Sequence, residues 1–513
     1  MAGISIGVIG GGASAVCLID ALAQAKGGPG TVTVFEPSPR LWRGRAYQVD
    51  SECIKVNATA DDMSVRAGDP GHFERWLDGR ERLIGDGHAP DSFSGVRFAP
   101  RTVYGEYLEQ TAYAALAELR RRGWRVDIIG AAVTTARRTA GQVLLGTEHG
   151  DADAFDYVVL CVGGDGPKDV YGLSGAPGFI ADPYPVAQVL PAVDPDDHVA
   201  VIGSGLTAVD TVLSLVAQEH RGPISLLSRR GALPGVRQRP LPFEPRHLTP
   251  ERMRELGRRK PRIALRELVE IVGREAREAG ADLDALYEEI TGLDREAPVE
   301  RLRRQFAAVD SPDPGLRVLQ RAVPDIGPDV WPLLGERDRT RILRSHYRTV
   351  MSLCCPMPPD SAARLLALVD AGRLEIRAGL RTVEQHPGGG FDAVVTDGTV
   401  LHAQTVVNAV GATGDRIPAR ALSLVTALTG DRAVSPHPHG GLHVERATSR
   451  FVTDGIPDPR LYGLGTIAAG TLFFTFGVPS LVDRSVDIVD AILRHAETGN
   501  TARPQGALLP AQP

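Results

Sequence analysis

The chain has 513 residues, of which 43% are hydrophobic and 23% charged, and a formal net charge of −6. This is enough apolar material for two or three domains with sizeable cores, and its mildly acidic balance carries no electrostatic footprint for nucleic acid. No apolar run reaches the roughly 20 residues that cross a bilayer, and the start lacks a basic segment, so a membrane partner and a signal peptide are both excluded as expectations. The five cysteines, Cys17, Cys53, Cys161, Cys354 and Cys355, form no Cys-x-x-Cys and suit a reducing cytoplasm. The adjacent Cys354 and Cys355 read as two small apolar residues.

In chain order, "ISIGVIGGGASAVCLIDAL" predicts a buried strand over Ile4 to Ile9, a turn Gly10-x-Gly12-x-x-Ala15 and a helix over Ala13 to Leu22. The glycines allow a tight turn and close approach of a pyrophosphate, and the helix start offers free N–H groups from Ala13, Ser14 and Ala15. The next strand, "TVTVFE", ends at Glu36, 24 residues past Gly12, where an acid accepts hydrogen bonds from ribose hydroxyls. "KVNATADDMS" is a polar loop without periodicity, of the kind that carries function. "FDYVVLCVGG" is an apolar strand ending in Gly163-Gly164.

The opening pattern then recurs. Val199 to Ile202 is strand-like, Gly203-x-Gly205-x-x-Ala208 is the turn, and Leu206 and Thr207 begin the helix. Here the strand "ISLLSRR" reaches Ser228, 23 residues past Gly205, and no acid is present. Ser228, Arg229 and Arg230 would bind a 2′-phosphate that a carboxylate would repel. The first site is therefore expected to hold FAD and the second NADPH. Within "KVNATADDMS", Asn57 is suited to the polar edge of a flavin ring.

Residues from about 248 to 350 are rich in Arg, Glu, Leu and Ala at helical spacing, and read as an insertion covering a cleft. Arg341, Arg344 and Arg348 are spaced for one helix face, a solvated face or a clamp for a carboxylate. "QTVVNAVGATGD" repeats the form of the earlier strand, ending in Gly411-Ala412-Thr413-Gly414. "SPHPHGGLH" clusters His437, His439 and His443 without a nearby carboxylate or cysteine, so no metal is expected. A strand, a turn at Gly465 and a long helix close the pattern, with Thr466 where an acid is usual.

The fold expected is α/β, with two Rossmann-like dinucleotide-binding domains, for FAD and NADPH, and a helical insertion. Residues 1–190 form the first part of the FAD domain and 191–383 the NADPH domain with its insertion. Residues 384–495 return to the FAD domain, and 496–513 form a disordered tail.

"IKVNATADDMSV", "DPGHFERWL", "FAPRTVYGEYL", "VIGSGLTAVDTVLSL" and "GPISLLSRRGALP" together resemble the bacterial FAD/NAD(P)-binding proteins. That group is distantly related to flavin-containing and N-hydroxylating monooxygenases. The resemblance implies that Asn57, Met63 and Ser64 lie near the flavin ring and that Arg101 and Tyr104 brace the flavin domain. It weakens at "HYRTVMSLCCPMPP", where relatives carry basic residues in place of Cys354 and Cys355. Reduced flavin, O2 and a small nucleophilic substrate would then meet in a water-poor cavity closed by the insertion and "GTLFFTFGVP", including Phe474. No catalytic triad or acid pair stands out, and the Baeyer–Villiger fingerprint is absent. N-hydroxylation of an amine or amino acid is the leading expectation. An NADPH-dependent flavin oxidoreductase without oxygenation, a flavin-binding redox sensor or interaction module, and a chain with one site empty share the same motifs.

Overall fold

The computed structural model describes residues 3–501, apart from 86, 151, 294, 412–416 and 476. The chain opens with β1 (Ile4–Ile9), α1 (Ala13–Gln24) and β2 (Gly30–Phe35), then a long loop, α2 (His72–Ile84), α3 (Arg101–Arg121) and β3 (Arg125–Ile129). β4 (Val133–Arg138), β5 (Val143–Thr147) and β6 (Ala152–Phe155) make an antiparallel layer before β7 (Tyr157–Leu160). A second unit follows with β8 (Phe179–Ile180), α4 (Val186–Val189), β9 (Val199–Ile202), α5 (Leu206–Ala217) and β10 (Ile224–Leu227). The insertion comprises α6 (Pro250–Arg259), α7 (Leu265–Glu278), α8 (Leu283–Thr291), α9 (Pro298–Ala307), α10 (Gly315–Val330), α11 (Glu336–Arg341) and α12 (Tyr347–Cys354). α13 (Pro359–Asp370) and β11 (Leu374–Arg377) come next, then β12 (Leu380–Gln385), β13 (Phe391–Val395), β14 (Val400–Ala403) and β15 (Thr405–Asn408). α14 (Leu422–Gly430), β16 (Arg450–Thr453), β17 (Ile456–Gly463), α15 (Ala469–Leu472) and α16 (Val478–Thr501) complete the described chain.

Among the described residues, one large sheet has the order β16-β17-β7-β1-β2-β3 and the other β11-β10-β9-β15-β8. β1 pairs in parallel with β2 and β7, and β9 in parallel with β10 and β15. Helices cover both faces of such sheets, which explains why β7, β9, β10 and β15 are mostly apolar and buried at every position. α1, α3 and α16 pack together on the first sheet, and their shared core contains Val16, Ile19, Leu108 and Ile488. The second core gathers Val199, Val212, Leu226 and Leu365.

Three expectations need correction. The chain enters the second sheet at β8, ahead of 190, and leaves it only after β15, past 383, because β8 and β15 pair with each other there. α16 continues past 495 to Thr501, and the remainder of the expected tail, 502–513, lies outside the described residues. Arg341, Arg344 and Arg348 do not lie on one continuous α-helix, since a π turn over Ile342–His346 separates α11 from α12. The insertion has an apolar core of its own, with Met253, Ile263, Val318, Ile326 and Trp331. Asp329 on α10 binds Arg254 of α6 and Arg446 of the chain after α14, at 3.3 Å each, and ties that core to the first unit.

Candidate nucleotide sites

Gly10 has φ +105°, donates its N–H to the Phe35 carbonyl at 2.8 Å, and passes so close to β7 that a Cβ would stand 2.3 Å from the Cys161 carbonyl oxygen. Only glycine fits this position. Gly12 is the extended N-cap of α1 and no side chain caps the helix, which leaves the Ala13, Ser14 and Ala15 end turned outward with its partial positive charge. Opposite it, Gly44 leaves a slot. A Cβ on Gly12 would come within 3.2 Å of the Gly44 Cα. Glu36 lies beside the turn, one carboxylate oxygen accepting from the Gly11 N–H at 2.7 Å and the other from the Ser38 N–H at 2.9 Å. Gly465 arrives from the far end of the chain, and a Cβ there would be 2.8 Å from the Ser14 Oγ.

The second turn repeats this construction. Gly203 has φ +119°, donates to the Leu227 carbonyl at 2.8 Å, and would place a Cβ 2.5 Å from the Ala409 carbonyl oxygen at the end of β15. Gly205 is the extended N-cap of α5, again without a side-chain cap, and the space in front of it is open. Leu206 packs on the second core, and the Thr207 hydroxyl meets Tyr184. Ser228 accepts the Gly231 N–H at 2.9 Å and shapes the turn that carries Arg229 and Arg230, both exposed. The two strand ends thus present opposite charge.

The residues placed by resemblance have other partners. Arg101 lies between the two units. Its guanidinium meets Asp210 of α5 at 2.6 Å and donates to the Tyr184 hydroxyl at 3.1 Å. Burial pushes the Asp210 carboxyl up, against the pull of Arg101. Arg101 thereby braces the two units against each other, and it borders a cavity of about 90 Å³ that Arg45, Gln48, Asp50 and Tyr184 also line. Met63 is buried in the first core, and its carbonyl accepts from the Tyr104 hydroxyl at 2.9 Å. The Ser64 hydroxyl donates to the Asp69 carbonyl at 2.7 Å and folds its own loop. Asn57 stands where the units face each other, donating to the Pro356 carbonyl at 3.3 Å while its own carbonyl accepts from Arg237 at 3.0 Å. Burial holds the Arg237 guanidinium below the ordinary arginine value, and Asp62 opposes that.

Over this cleft, the segment after α15 folds tightly. Phe473 has φ 60° and ψ −78°, and the Phe474 N–H reaches back to the Leu472 carbonyl at 2.9 Å, a rare and strained γ-turn. Trp331 of the insertion stacks on Phe473 with centroids 4.4 Å apart and donates to the Gly470 carbonyl at 3.2 Å. Phe474 is buried beneath α10, where a Cβ on Gly327 would be 3.1 Å from its own. Asp325, two residues earlier on α10, is raised to about 6 by burial; its ion pair with Arg321 opposes that, and Asp62 and Asp483 add to it.

Elsewhere, the His437 ring lies tilted against that of His443 with centroids 4.4 Å apart, while His439 pairs with Glu336 at 2.8 Å. Among the described residues no group of three or more His, Cys, Asp or Glu is placed to hold a metal, and no helix is long and apolar enough to cross a membrane. The expected loop Ala412-Thr413-Gly414 lies outside the described residues. Sequence reasoning missed Gly44, Tyr184 and Arg237. Gly44 in "LWRGRAY" was the only one with a local signal, a glycine facing a glycine turn.

The fold is that of flavoproteins with two dinucleotide-binding domains. Residues 7–165 match the FAD-NAD(P)-binding family. The chain is a distant homologue of uncharacterized protein YdhS of Escherichia coli (strain K12), 22% identical over 415 residues that cover 73% of this chain and 76% of the relative. Among solved structures it is similar to the Kutzneria sp. 744 ornithine N-hydroxylase, at TM-score 0.59 and 15% identity over 96% of this chain and 100% of that one. It is likewise similar to the ornithine hydroxylase of Pseudomonas aeruginosa, at TM-score 0.56 and 15% identity over 97% of this chain and 100% of that one.

Proposed function

We propose that the protein is an FAD- and NADPH-dependent monooxygenase that oxygenates the nitrogen of a small amine or amino acid. The observation that carries the reading is the pair of matching glycine turns with opposite endings, Glu36 after one and Ser228-Arg229-Arg230 after the other. FAD fits the first turn. Gly10 and Gly12 give the close approach, Ala13, Ser14 and Ala15 the N–H groups, Glu36 the ribose partner, and Gly465 the opposing wall. NADPH fits the second, with Gly203, Gly205, Leu206 and Thr207 at the pyrophosphate and Ser228, Arg229 and Arg230 at the 2′-phosphate. Once bound and reduced, FAD supplies the activation of O2 and the delivery of one oxygen atom.

The chain's own part is positioning and closure. Arg101, Tyr184 and Asp210 fix the two units against each other, and Asn57 is held at their junction by Pro356 and Arg237. Phe473, Phe474 and Trp331 form an apolar lid that keeps water from the cleft. The solved neighbours named as ornithine hydroxylases support an amine or amino acid as the substrate class. The five free cysteines fit work in a reducing cytoplasm.

The test is NADPH oxidation by the purified flavoprotein against a panel of amines and amino acids, with products weighed after reaction under ¹⁸O2. One heavy oxygen atom on a substrate nitrogen is expected. NADPH consumption without any oxygenated product would overturn oxygenation in favour of a plain flavin oxidoreductase.

A further inference from the structure

The insertion reaches the second nucleotide site through its last helix. The π turn Ile342–His346 is a rare element that tends to occur at functional sites. The carbonyl of Ser345 inside it accepts from the Arg230 guanidinium at 3.5 Å, which brings the start of α12 against the turn that follows β10. Arg348 is the second residue of α12. Its side chain is exposed, yet protein crowds its head. That desolvation, with the like charges of Arg229 and Arg230, holds its guanidinium below the ordinary arginine value. Three guanidinium groups from two distant parts of the chain thus converge at the strand end where Glu36 stands in the first unit. Guanidinium forks match the geometry and the charge of a phosphate.

We propose that Arg348 is the third arginine of a 2′-phosphate site, a specificity-determining residue that the insertion lends to the NADPH-binding unit. This rests on the reading of the second turn as an NADPH site. It reassigns Arg348 from a substrate-carboxylate clamp to the nucleotide.

The experiment is calorimetric titration of the flavin-loaded protein with adenosine 2′,5′-bisphosphate and with 5′-AMP, which differ only in the 2′-phosphate. The parent binds the bisphosphate more tightly. Arg348→Ala weakens the bisphosphate about ten-fold or more, the loss of one charge-assisted contact, and leaves 5′-AMP unchanged. Arg348→Lys keeps part of the preference. If the parent discriminates and Arg348→Ala still binds the bisphosphate as the parent does, the inference is overturned while the NADPH reading stands. Equal weakening of both ligands would also overturn it, since the role would be structural. A parent that binds both alike would overturn the NADPH reading itself.

Discussion

Between Gly12 and Gly44 two backbones approach with no side chain on either, so a branched residue at Gly12 closes the slot. Gly12→Val is expected to be purified without flavin, read as flavin absorbance per protein, while far-ultraviolet dichroism keeps the parent's shape. Retention of flavin at the parent's ratio would contradict the first-site assignment. A second residue-scale expectation concerns Glu289, buried with Arg301 and Gln305 and paired to Arg301 and Arg304. Glu289→Ala leaves the Arg301 guanidinium buried without a counter-charge, which costs about 3–5 kcal/mol in urea unfolding. Replacing Glu289 and Arg301 together by leucine and methionine should recover most of that loss. The turn residues Gly10, Gly12, Glu36, Gly203 and Gly205 were legible because each answers a local backbone or charge requirement. The partners of Arg101, Tyr184 and Asp210, were not, because they are distant in sequence and joined to it only by folding.

At the scale of elements, periodicity found β1 and β9 to the residue, since a strand buried on both faces is an apolar run bounded by glycine. The antiparallel layers β4-β5-β6 and β12-β13-β14 went unread. Their strands are short, carry arginine and histidine at solvent positions, and imitate loops. The π turn was invisible for a related reason, because composition alone does not distinguish it from an ordinary helical turn. α10 makes a pH prediction. Asp325 titrates near 6 in the folded protein, raised by burial, so between its ordinary value and about 6 the folded chain binds more protons than the unfolded one. Its contribution to stability therefore falls as pH rises through that window and stays at the lower level above it. Asp325→Asn should melt at a higher temperature than the parent at neutral pH, with the gap closing toward pH 4. A gap that widened on acidification would contradict the raised value.

Across the whole molecule, the two units are joined by more than their linkers. Arg101 to Asp210, Asn57 to Pro356 and Asp329 to Arg446 all cross between parts built from separate stretches of chain. Asp210→Ala strands the buried Arg101 charge and removes the Tyr184 acceptor at once. Calorimetry should show the parent unfolding in one transition and this variant in two, the second unit separating from the first. A single transition at the parent's temperature would show that the strut carries no coupling.

The position of β17 beside β7 has a consequence for synthesis on the ribosome. The inner unit has all its strands once Asn408 has emerged. The outer unit, begun at Ile4, keeps β7 as an open edge until Ile456–Gly463 are made, because Leu461 is the partner of Val158. Domains usually close in the order they are translated. Here the first unit begun is the last to close, and for most of translation its nascent sheet presents an unpaired edge open to pairing with another chain.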